Sequence, residues 1–281
     1  RRLVGALGLR DLVLADTDTR VGELMDHEVY SARVDEDQEA VARLMLEADL
    51  LALPIVDAEK RLVGIVTVDD AMQILEEEQT EDVARAGGAE PLAHPYLSVS
   101  VLDIARSRVV WLLVLIVAAT LTVTVLSGFE ARLEEVVALT LFIPLVIGTG
   151  GNTGAQAATT VTRALAVGEL RGTDVALVVL REMRVGLLLG AILGAVAFVP
   201  AMLFISFLSK QPEFAQQVAT IVSLTLLAVC TVATTVGSLL PLLARRLGFD
   251  PAVMSAPFIT TLVDATGLLV YFVIAGVVLS L

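Results

Sequence analysis

Five long apolar runs constrain this chain more than any other feature. A helix needs about 20 mostly apolar residues to cross the hydrocarbon core of a bilayer. Runs of that kind occupy about residues 109–127, 136–160, 185–208, 217–243 and 253–281. The chain is 56% hydrophobic, and its mean hydropathy is +0.83. The runs predict an α-helical membrane domain with five transmembrane helices per subunit, embedded in a lipid bilayer.

The charged residues divide the chain into two segments. Residues 1–106 carry 23 Asp and Glu against 10 Lys and Arg, whereas the remaining residues carry 9 of each. An acidic α/β segment therefore precedes an electrically balanced membrane segment. For a chain with a formal net charge of −13 we expect no nucleic-acid partner.

The cations around the apolar runs predict the orientation. On the side of the acidic segment lie Arg106, Arg108, Arg163, Arg171, Arg181, Arg184, Arg245 and Arg246, and on the opposite side lie Arg132 and Lys210. Cytoplasmic loops carry the excess of Lys and Arg. We therefore expect a multi-pass protein of the plasma (cell inner) membrane, with the N-terminus in the cytoplasm and the C-terminus outside.

The acidic segment contains a repeat. "RRLVGALGLRDLVLAD" at the start reappears as "KRLVGIVTVDDAMQIL", with Asp11 matching Asp70. Each copy predicts a turn, an alternating strand and a helix start with an acidic cap. Only the second copy follows a predicted helix from about Gln38 to Asp49 and the buried strand "LALPIVD". The first copy therefore begins partway through its unit, and we expect that a preceding segment is missing.

The second apolar run contains the stretch "IPLVIGTGGNTGAQAATT". Glycine weakens a helix and lets another backbone or an ion come close. Gly150 and Gly154 form a GxxxG pair, which packs membrane helices, and packing alone is one interpretation. Because Asn152 and Gln156 lie beside these glycines, we favour a pore or ion site combined with packing.

The fifth run contains a carboxylate, Asp264, in "PFITTLVDATGLLVYF". An aspartate at the bilayer centre costs roughly 2.5 to 3.5 kcal/mol even on the mildest scale. Spacings of three and four residues put Pro257, Thr260, Thr261 and Asp264 on one face, and Pro257 is expected to free carbonyls near residue 253. A carboxylate with carbonyls suits Mg²⁺, Ca²⁺ or Mn²⁺. In a twofold dimer with an axial pore, two copies of Asp264 would balance the ion's charge.

Two alternatives remain beside a divalent-cation pore. Asp264 could form only structural hydrogen bonds with Asn152 or a threonine, or it could carry a proton in a proton- or sodium-coupled transporter. An intramembrane protease is not expected, because His27 and His94 lie outside the apolar runs and only one aspartate lies within them. We therefore predict that the protein is not an enzyme.

Two sets of motifs resemble known families. "LPIVD" followed by "RLVGIVTVDDAM" resembles a CBS domain, and "GTGGNTGAQAAT" with "RRLGFDPAVMSAPFITTLVDATGLLVYF" resembles the MgtE family of Mg²⁺ channels. The resemblance implies a homodimer, with residues 1–20 the remnant of a first CBS module and residues 21–85 a second. It further implies a connecting and plug-helix region over residues 86–108 and a pore domain over residues 109–281. The family's N-terminal helical domain is not represented.

The resemblance also implies site residues. Asp264 would be the selectivity carboxylate of a Mg²⁺-selective channel, and the same filter would contain Gly148, Asn152, Ala256 and Thr260. Cytosolic Mg²⁺ would close the channel by bridging acidic residues, which are Glu39, Asp49, Asp70, Glu78, Glu81, Asp82 and Asp250. ATP is a further implied ligand, through Arg10 and Asp11. Three positions depart from the family pattern: Ala256 replaces a frequent Asn, Thr260 stands where a smaller residue can occur, and Leu50 replaces an aromatic residue that would stack on the base.

Overall fold

The computed structural model of the protein describes residues 2–130 and 136–280. The chain forms two compact units, Arg1–Glu81 and Asp82–Leu281.

The first unit is a small α/β assembly. Its elements are α1 (Leu9–Leu14), α2 (Val21–Leu24), β1 (Ala32–Arg33), α3 (Gln38–Glu47), β2 (Ala52–Val56) and β3 (Leu62–Thr67), followed by α4 (Val68–Ala86). The strands lie in the order β1-β2-β3, with β1 parallel to β2 and β2 antiparallel to β3. The predicted α/β segment, including the helix near Gln38 and the strand "LALPIVD", is confirmed.

Helix α3 provides the core of the first unit. The carboxylate of Asp37 accepts hydrogen bonds from the backbone N–H groups of Glu39 and Ala40, which satisfies two donors at the helix start. The apolar face of the helix then packs on the sheet and on α4. The buried cluster consists of Ala32, Val41, Ala42, Met45, Leu53 and Ala71.

The two copies of the repeat fold differently. In the second copy, the carboxylate of Asp70 accepts hydrogen bonds from the N–H and the hydroxyl of Thr67 at the start of α4. In the first copy, the N-cap is Gly8, which makes no side-chain cap. The expected strand there is reduced to isolated antiparallel bridges, one of which joins Ala6 to Asp26. The prediction of an acidic cap is therefore wrong for the first copy, although Asp11 lies in the first turn of α1 as Asp70 does in α4.

Among its described residues, the second unit contains five helices that are long and apolar enough to cross a membrane. They are α5 (Val101–Gly128), α6 (Ile143–Ala166), α7 (Val175–Ser209), α8 (Pro212–Arg246) and α9 (Ala256–Leu279). A 3₁₀ turn over Val137–Phe142 leads into α6, and another over Pro251–Val253 precedes α9. The predicted five-helix membrane class is confirmed.

Several helices extend beyond the apolar runs from which they were predicted. Helix α5 starts at Val101 rather than at residue 109, and the Ser100 hydroxyl caps it by accepting from the N–H of Asp103. The predicted plug helix is thus continuous with the first membrane helix. Helix α7 starts at Val175 rather than at residue 185. In both cases charged residues lower the hydropathy of the first turns without interrupting the backbone hydrogen bonds.

The start of α9 corrects one expectation. The helix begins at Ala256, so Pro257 occupies the first turn. An N–H at that position has no intrahelical acceptor in any helix, and proline there breaks no helical bond. The interpretation that Pro257 frees carbonyls near residue 253 by interrupting the helix is therefore wrong, because those residues precede α9.

Helix α8 lies at the centre of the membrane unit and packs against α6, α7 and α9. Glycines allow two of these contacts to be very close. A Cβ placed on Gly190 of α7 would lie 2.6 Å from Leu227 Cα, and one placed on Gly237 of α8 would lie 2.3 Å from the carbonyl oxygen of Gly154. In contrast, α5 packs against α9, and none of its 28 residues is buried.

Candidate functional site

Asp264 lies in the third turn of α9 and is only partly exposed. Its Oδ1 atom is buried and has no hydrogen-bond partner among the described residues. A buried polar atom is normally paired, because the loss of its hydration is otherwise uncompensated. The alternative was that Asp264 forms only structural hydrogen bonds with Asn152 or a threonine. The Oδ1 atom forms no such bond.

The threonines beside Asp264 bond to their own helix. Thr260 Oγ1 donates to the carbonyl oxygen of Ala256 at 2.8 Å, and Thr261 Oγ1 donates to that of Pro257 at 2.9 Å. Each carbonyl thus has a hydroxyl donor one turn further along. The predicted filter pair Ala256 and Thr260 is joined by a direct hydrogen bond.

Helix α6 packs against Asp264 through a glycine that the sequence interpretation did not select. A Cβ on Gly151 would lie 2.5 Å from Thr260 Cγ2 and 3.3 Å from Asp264 Oδ1. The backbone of α6 therefore lies directly against the candidate filter. The sequence did contain a signal that could have identified Gly151. It lies beside Gly150 and Gly154, among the small residues that form the buried face of the helix.

The opposite face of α6 is open and polar. Gly148 and Asn152 are exposed, and a Cβ on Gly148 would meet no atom within 4 Å. An open groove of about 460 Å³ continues along the same helix. It is lined by Asn152, Ala155, Gln156, Thr159 and Thr160. In a helix of membrane-spanning length such a face cannot be turned to lipid without cost. The predicted Gly148 and Asn152 therefore lie on this open face, whereas Gly151 is buried against α9.

The predicted regulatory acids in the first unit do not gather into one cluster. Glu39 pairs with Arg43, Glu78 accepts a hydrogen bond from Gln38 Nε2 at 2.9 Å, and Asp49 has a left-handed backbone with φ 53°. Among all the residues that the structure describes, no three His, Cys, Asp or Glu side chains form a potential metal-ligand group.

Asp70 is the predicted regulatory acid of the first unit whose pKa is displaced. The pKa of its carboxyl lies below the ordinary value of 3.8, because the Thr67 hydroxyl and the Thr67 N–H both donate to the charged form. Asp70 is therefore ionised at neutral pH, but part of its capacity to accept bonds is already used.

At the membrane unit, Asp250 is held by an ion pair. Its Oδ2 atom lies 2.6 Å from Nη1 of Arg85, and its Oδ1 atom accepts from the N–H of Ala252 at 2.8 Å. Both side chains of the pair are about one-third exposed. Beside the pair, Gly88 has φ +71°, and a Cβ there would lie 3.4 Å from Pro257 Cγ. The residues that end α4 thus contact the residues that start α9.

The implied nucleotide ligands are exposed. Arg10 and Asp11 lie on α1, which buries no residue. A separate cleft of about 370 Å³ in the first unit is lined by other residues, which include His27, Arg33 and Lys60. Leu50 packs against the core of the unit.

Together, the five apolar helices, the α/β segment and Asp264 with its buried Oδ1 atom define a multi-pass α-helical membrane protein with a CBS-like domain. Residues 143–274 match the MgtE family, described as "Divalent cation transporter", and residues 21–77 match the CBS domain. The membrane part of the chain therefore matches the MgtE family.

Named relatives align with nearly the whole chain. It is 44% identical over 282 residues to the magnesium transporter MgtE of Thermus thermophilus, covering 99% of this chain and 60% of that protein. It is 35% identical over 274 residues to the magnesium transporter MgtE of Enterococcus faecalis, covering 98% of this chain and 58% of that protein. The chain thus spans about 60% of the length of these relatives.

Solved structures resemble about a quarter of the chain. One is titled "Crystal structure of the cytosolic domain of the Mg2+ channel MgtE in complex with ATP". It shares 57% sequence identity and covers 26% of this chain and 29% of its own, with a TM-score of 0.26.

Proposed function

We propose that this protein is a Mg²⁺-selective channel that imports magnesium across the plasma membrane. The observation that carries the proposal is the unpartnered Oδ1 of Asp264, which lies within a helix of membrane-spanning length. A buried carboxylate without a cationic partner is stabilised when a cation approaches it. The MgtE relatives named as magnesium transporters support Mg²⁺ as the cation.

The open polar face of α6 supports a homodimer. A single copy leaves Asn152, Gln156 and Thr159 exposed at membrane depth. A second copy related by a twofold axis would cover this face and would bring two Asp264 side chains to one pathway. Two carboxylates balance the charge of Mg²⁺, which dehydrates reluctantly and usually keeps several of its waters. The Asn152 amide and the Ala256 carbonyl would then face those waters.

The cations at the helix ends support the proposed orientation. Arg163 lies in the last turn of α6, and Arg245 and Arg246 lie in the last turn of α8. Lys210 caps the far end of α7, and Arg132 lies outside the described residues. By the positive-inside rule, the acidic unit is cytoplasmic and the C-terminus is outside.

We further propose that cytosolic Mg²⁺ regulates the channel through Asp250 together with the acidic residues of the CBS segment and of α4. Clustered carboxylates repel one another, and a divalent cation that removes this repulsion favours a compact, closed arrangement. In the structure Arg85 supplies positive charge at Asp250. Mg²⁺ would have to compete with this guanidinium for the carboxylate. ATP, bound through Arg10 and Asp11, is a further candidate regulator.

Mg²⁺ uptake into proteoliposomes tests the transport proposal. The membrane voltage is fixed with potassium and valinomycin, no proton or sodium gradient is present, and the wild-type chain is compared with Asp264→Ala. We expect uptake by the wild type and a loss of at least about a hundredfold in the variant.

The other outcomes separate the alternatives. Equal uptake by both proteins would make Asp264 structural and would refute the proposed filter. Uptake that requires a proton or sodium gradient would instead support a coupled transporter, the second candidate for a lone membrane aspartate.

The regulatory proposal is tested with Arg85→Gln in inside-out membrane patches. Without the competing guanidinium, the cytosolic Mg²⁺ concentration that halves the current should fall about two- to fivefold, as expected for a partly exposed ion pair. Arg61→Gln is the matched control, because Arg61 pairs with Asp57 and Glu59 within the first unit. An unchanged or raised inhibitory concentration in Arg85→Gln would contradict the proposed competition.

A further inference from the structure

Gly151 of α6 lies directly against the candidate filter on α9. An added Cβ would lie 2.5 Å from Thr260 Cγ2, 3.5 Å from Thr260 Cβ and 3.3 Å from Asp264 Oδ1. Real Cβ atoms essentially never approach another heavy atom within 3.0 Å. The hydrogen atom of Gly151 is therefore the largest group that this position accepts without movement of the filter residues.

The side chain of Thr260 cannot easily turn away. Its Oγ1 donates to the Ala256 carbonyl at 2.8 Å, and this bond fixes the rotation that directs Cγ2 toward Gly151. Threonine is branched at Cβ and has few allowed rotamers in a helix. A larger residue at 151 would therefore either break the Thr260 bond to Ala256 or push α9 away from α6.

Asp264 is constrained from the same side. Its buried Oδ1 faces Gly151, while the residue as a whole is partly exposed. The contact with the α6 backbone thus keeps one carboxylate oxygen against the helix. A displacement at Gly151 would change the position from which the carboxylate meets a cation.

We propose that Gly151 is a positioning and selectivity-determining residue, which sets the distance of Asp264 and Thr260 from the permeation pathway by allowing them to lie against the α6 backbone. This inference rests on the proposed function, because it assumes that Asp264 is the filter. Gly151 itself need not touch the ion. It acts through the two side chains that pack against it.

The test compares Mg²⁺ and Ca²⁺ uptake by four variants of the full chain in proteoliposomes, each checked for monodisperse purified protein. The variants are Gly151→Ala, Thr260→Ser, the double variant Gly151→Ala/Thr260→Ser and the control Gly267→Ala. Thr260→Ser keeps the hydroxyl that bonds Ala256 and removes Cγ2, the atom in closest contact. Gly267 is a helical glycine of α9, and a Cβ there would lie 3.5 Å from Val229 Cγ1, an ordinary contact.

We expect Gly151→Ala to lower Mg²⁺ uptake by at least about tenfold, because filter geometry must hold to a fraction of an ångström. We also expect it to change the ratio of Mg²⁺ to Ca²⁺ uptake, which a simple loss of folded protein would not do. The double variant should recover the uptake and the ratio of Thr260→Ser, and Gly267→Ala should match the wild type.

Three results would overturn the inference. The first is wild-type uptake by Gly151→Ala, and the second is an equal loss of both cations in folded Gly151→Ala. The third is Mg²⁺ uptake by the double variant that is no higher than that of Gly151→Ala. This result counts whether or not Gly151→Ala itself folds. The proposed function fails separately, if Asp264→Ala transports like the wild type.

Discussion

At the scale of single residues, the buried polar groups of α9 fall into two kinds. Tyr271 is fully buried, and its hydroxyl donates to the carbonyl oxygen of Leu139 at 2.9 Å. Asp264, nearly two turns earlier, has a buried oxygen with no hydrogen-bond partner among the described residues. The first arrangement satisfies a polar group and ties α9 to the turn before α6. The second leaves an acceptor available, which is the arrangement that a cation can use.

Tyr271→Phe should destabilise the membrane unit. The substitution keeps the ring but removes the donor to Leu139, at a cost of about 1 kcal/mol in the free energy of unfolding. Unfolding in mixed detergent micelles would measure the loss. Tyr96→Phe is the matched control, because Tyr96 is 62% exposed. An equal stability of the two variants would show that the Tyr271 hydrogen bond contributes nothing.

Helical spacing could group the site residues from the sequence, but it could not orient them. The spacing of three and four residues grouped Pro257, Thr260, Thr261 and Asp264, whereas Gly148 and Asn152 were placed in the same filter by the family resemblance, and the structure has both on the open side of α6. Gly151 was missed, because the contact of α6 with Thr260 and Asp264 depends on the packing of α9. That packing is a tertiary property that no local pattern contains.

At the scale of whole elements, the pairing of α7 with α8 depends on close backbone contact. Gly186, Gly190 and Gly194 follow one another at intervals of one turn along α7. A Cβ on each would lie within 2.7 Å of an atom of α8. Hydroxyls add to the pairing, since Ser223 Oγ donates to the carbonyl of Gly194 at 2.8 Å. Small residues and such hydrogen bonds are the usual sources of helix association in lipid.

Gly190→Ala should therefore destabilise the protein. The added Cβ would lie 2.6 Å from Leu227 Cα and 2.8 Å from the Leu227 carbonyl oxygen, and backbone atoms cannot rotate away. We expect a loss of about 1–3 kcal/mol, as for overpacking in a dense core, measured by detergent unfolding. Gly128→Ala in α5 is the control, since a Cβ there meets no atom within 4 Å. A Gly190→Ala variant as stable as this control would show that α7 can shift without cost.

The elements also show which boundaries the sequence could predict. All five membrane helices were found, because each contains an apolar run of sufficient length. Their starts were misplaced where charged residues continue a helix, as Arg106 does in α5 and Arg181 does in α7. Hydropathy identifies the part of a helix that can lie in lipid. The helix itself extends as far as its backbone hydrogen bonds continue.

At the scale of the whole molecule, the polar face of α6 predicts contact with a second copy. With Thr159→Cys, a short bismaleimide should cross-link the chain into dimers in native membranes, because this position lines the open groove. Leu188→Cys is the control, since Leu188 is 63% exposed on an apolar part of α7 that suits lipid. The natural Cys230 is buried. Cross-linking of Leu188→Cys alone, or of neither variant, would contradict the proposed arrangement.

The loose attachment of α5 has a consequence for how sequences of this kind can diverge. Residues such as Val110, Leu113, Val117 and Leu121 are all more than half exposed, so the described part of one copy constrains their shape only weakly. Where they face lipid, any apolar side chain of similar hydropathy would serve. Mutations along this side of α5 would then accumulate almost silently, while a single methyl group at Gly237 of α8 would meet the backbone of α6 at once.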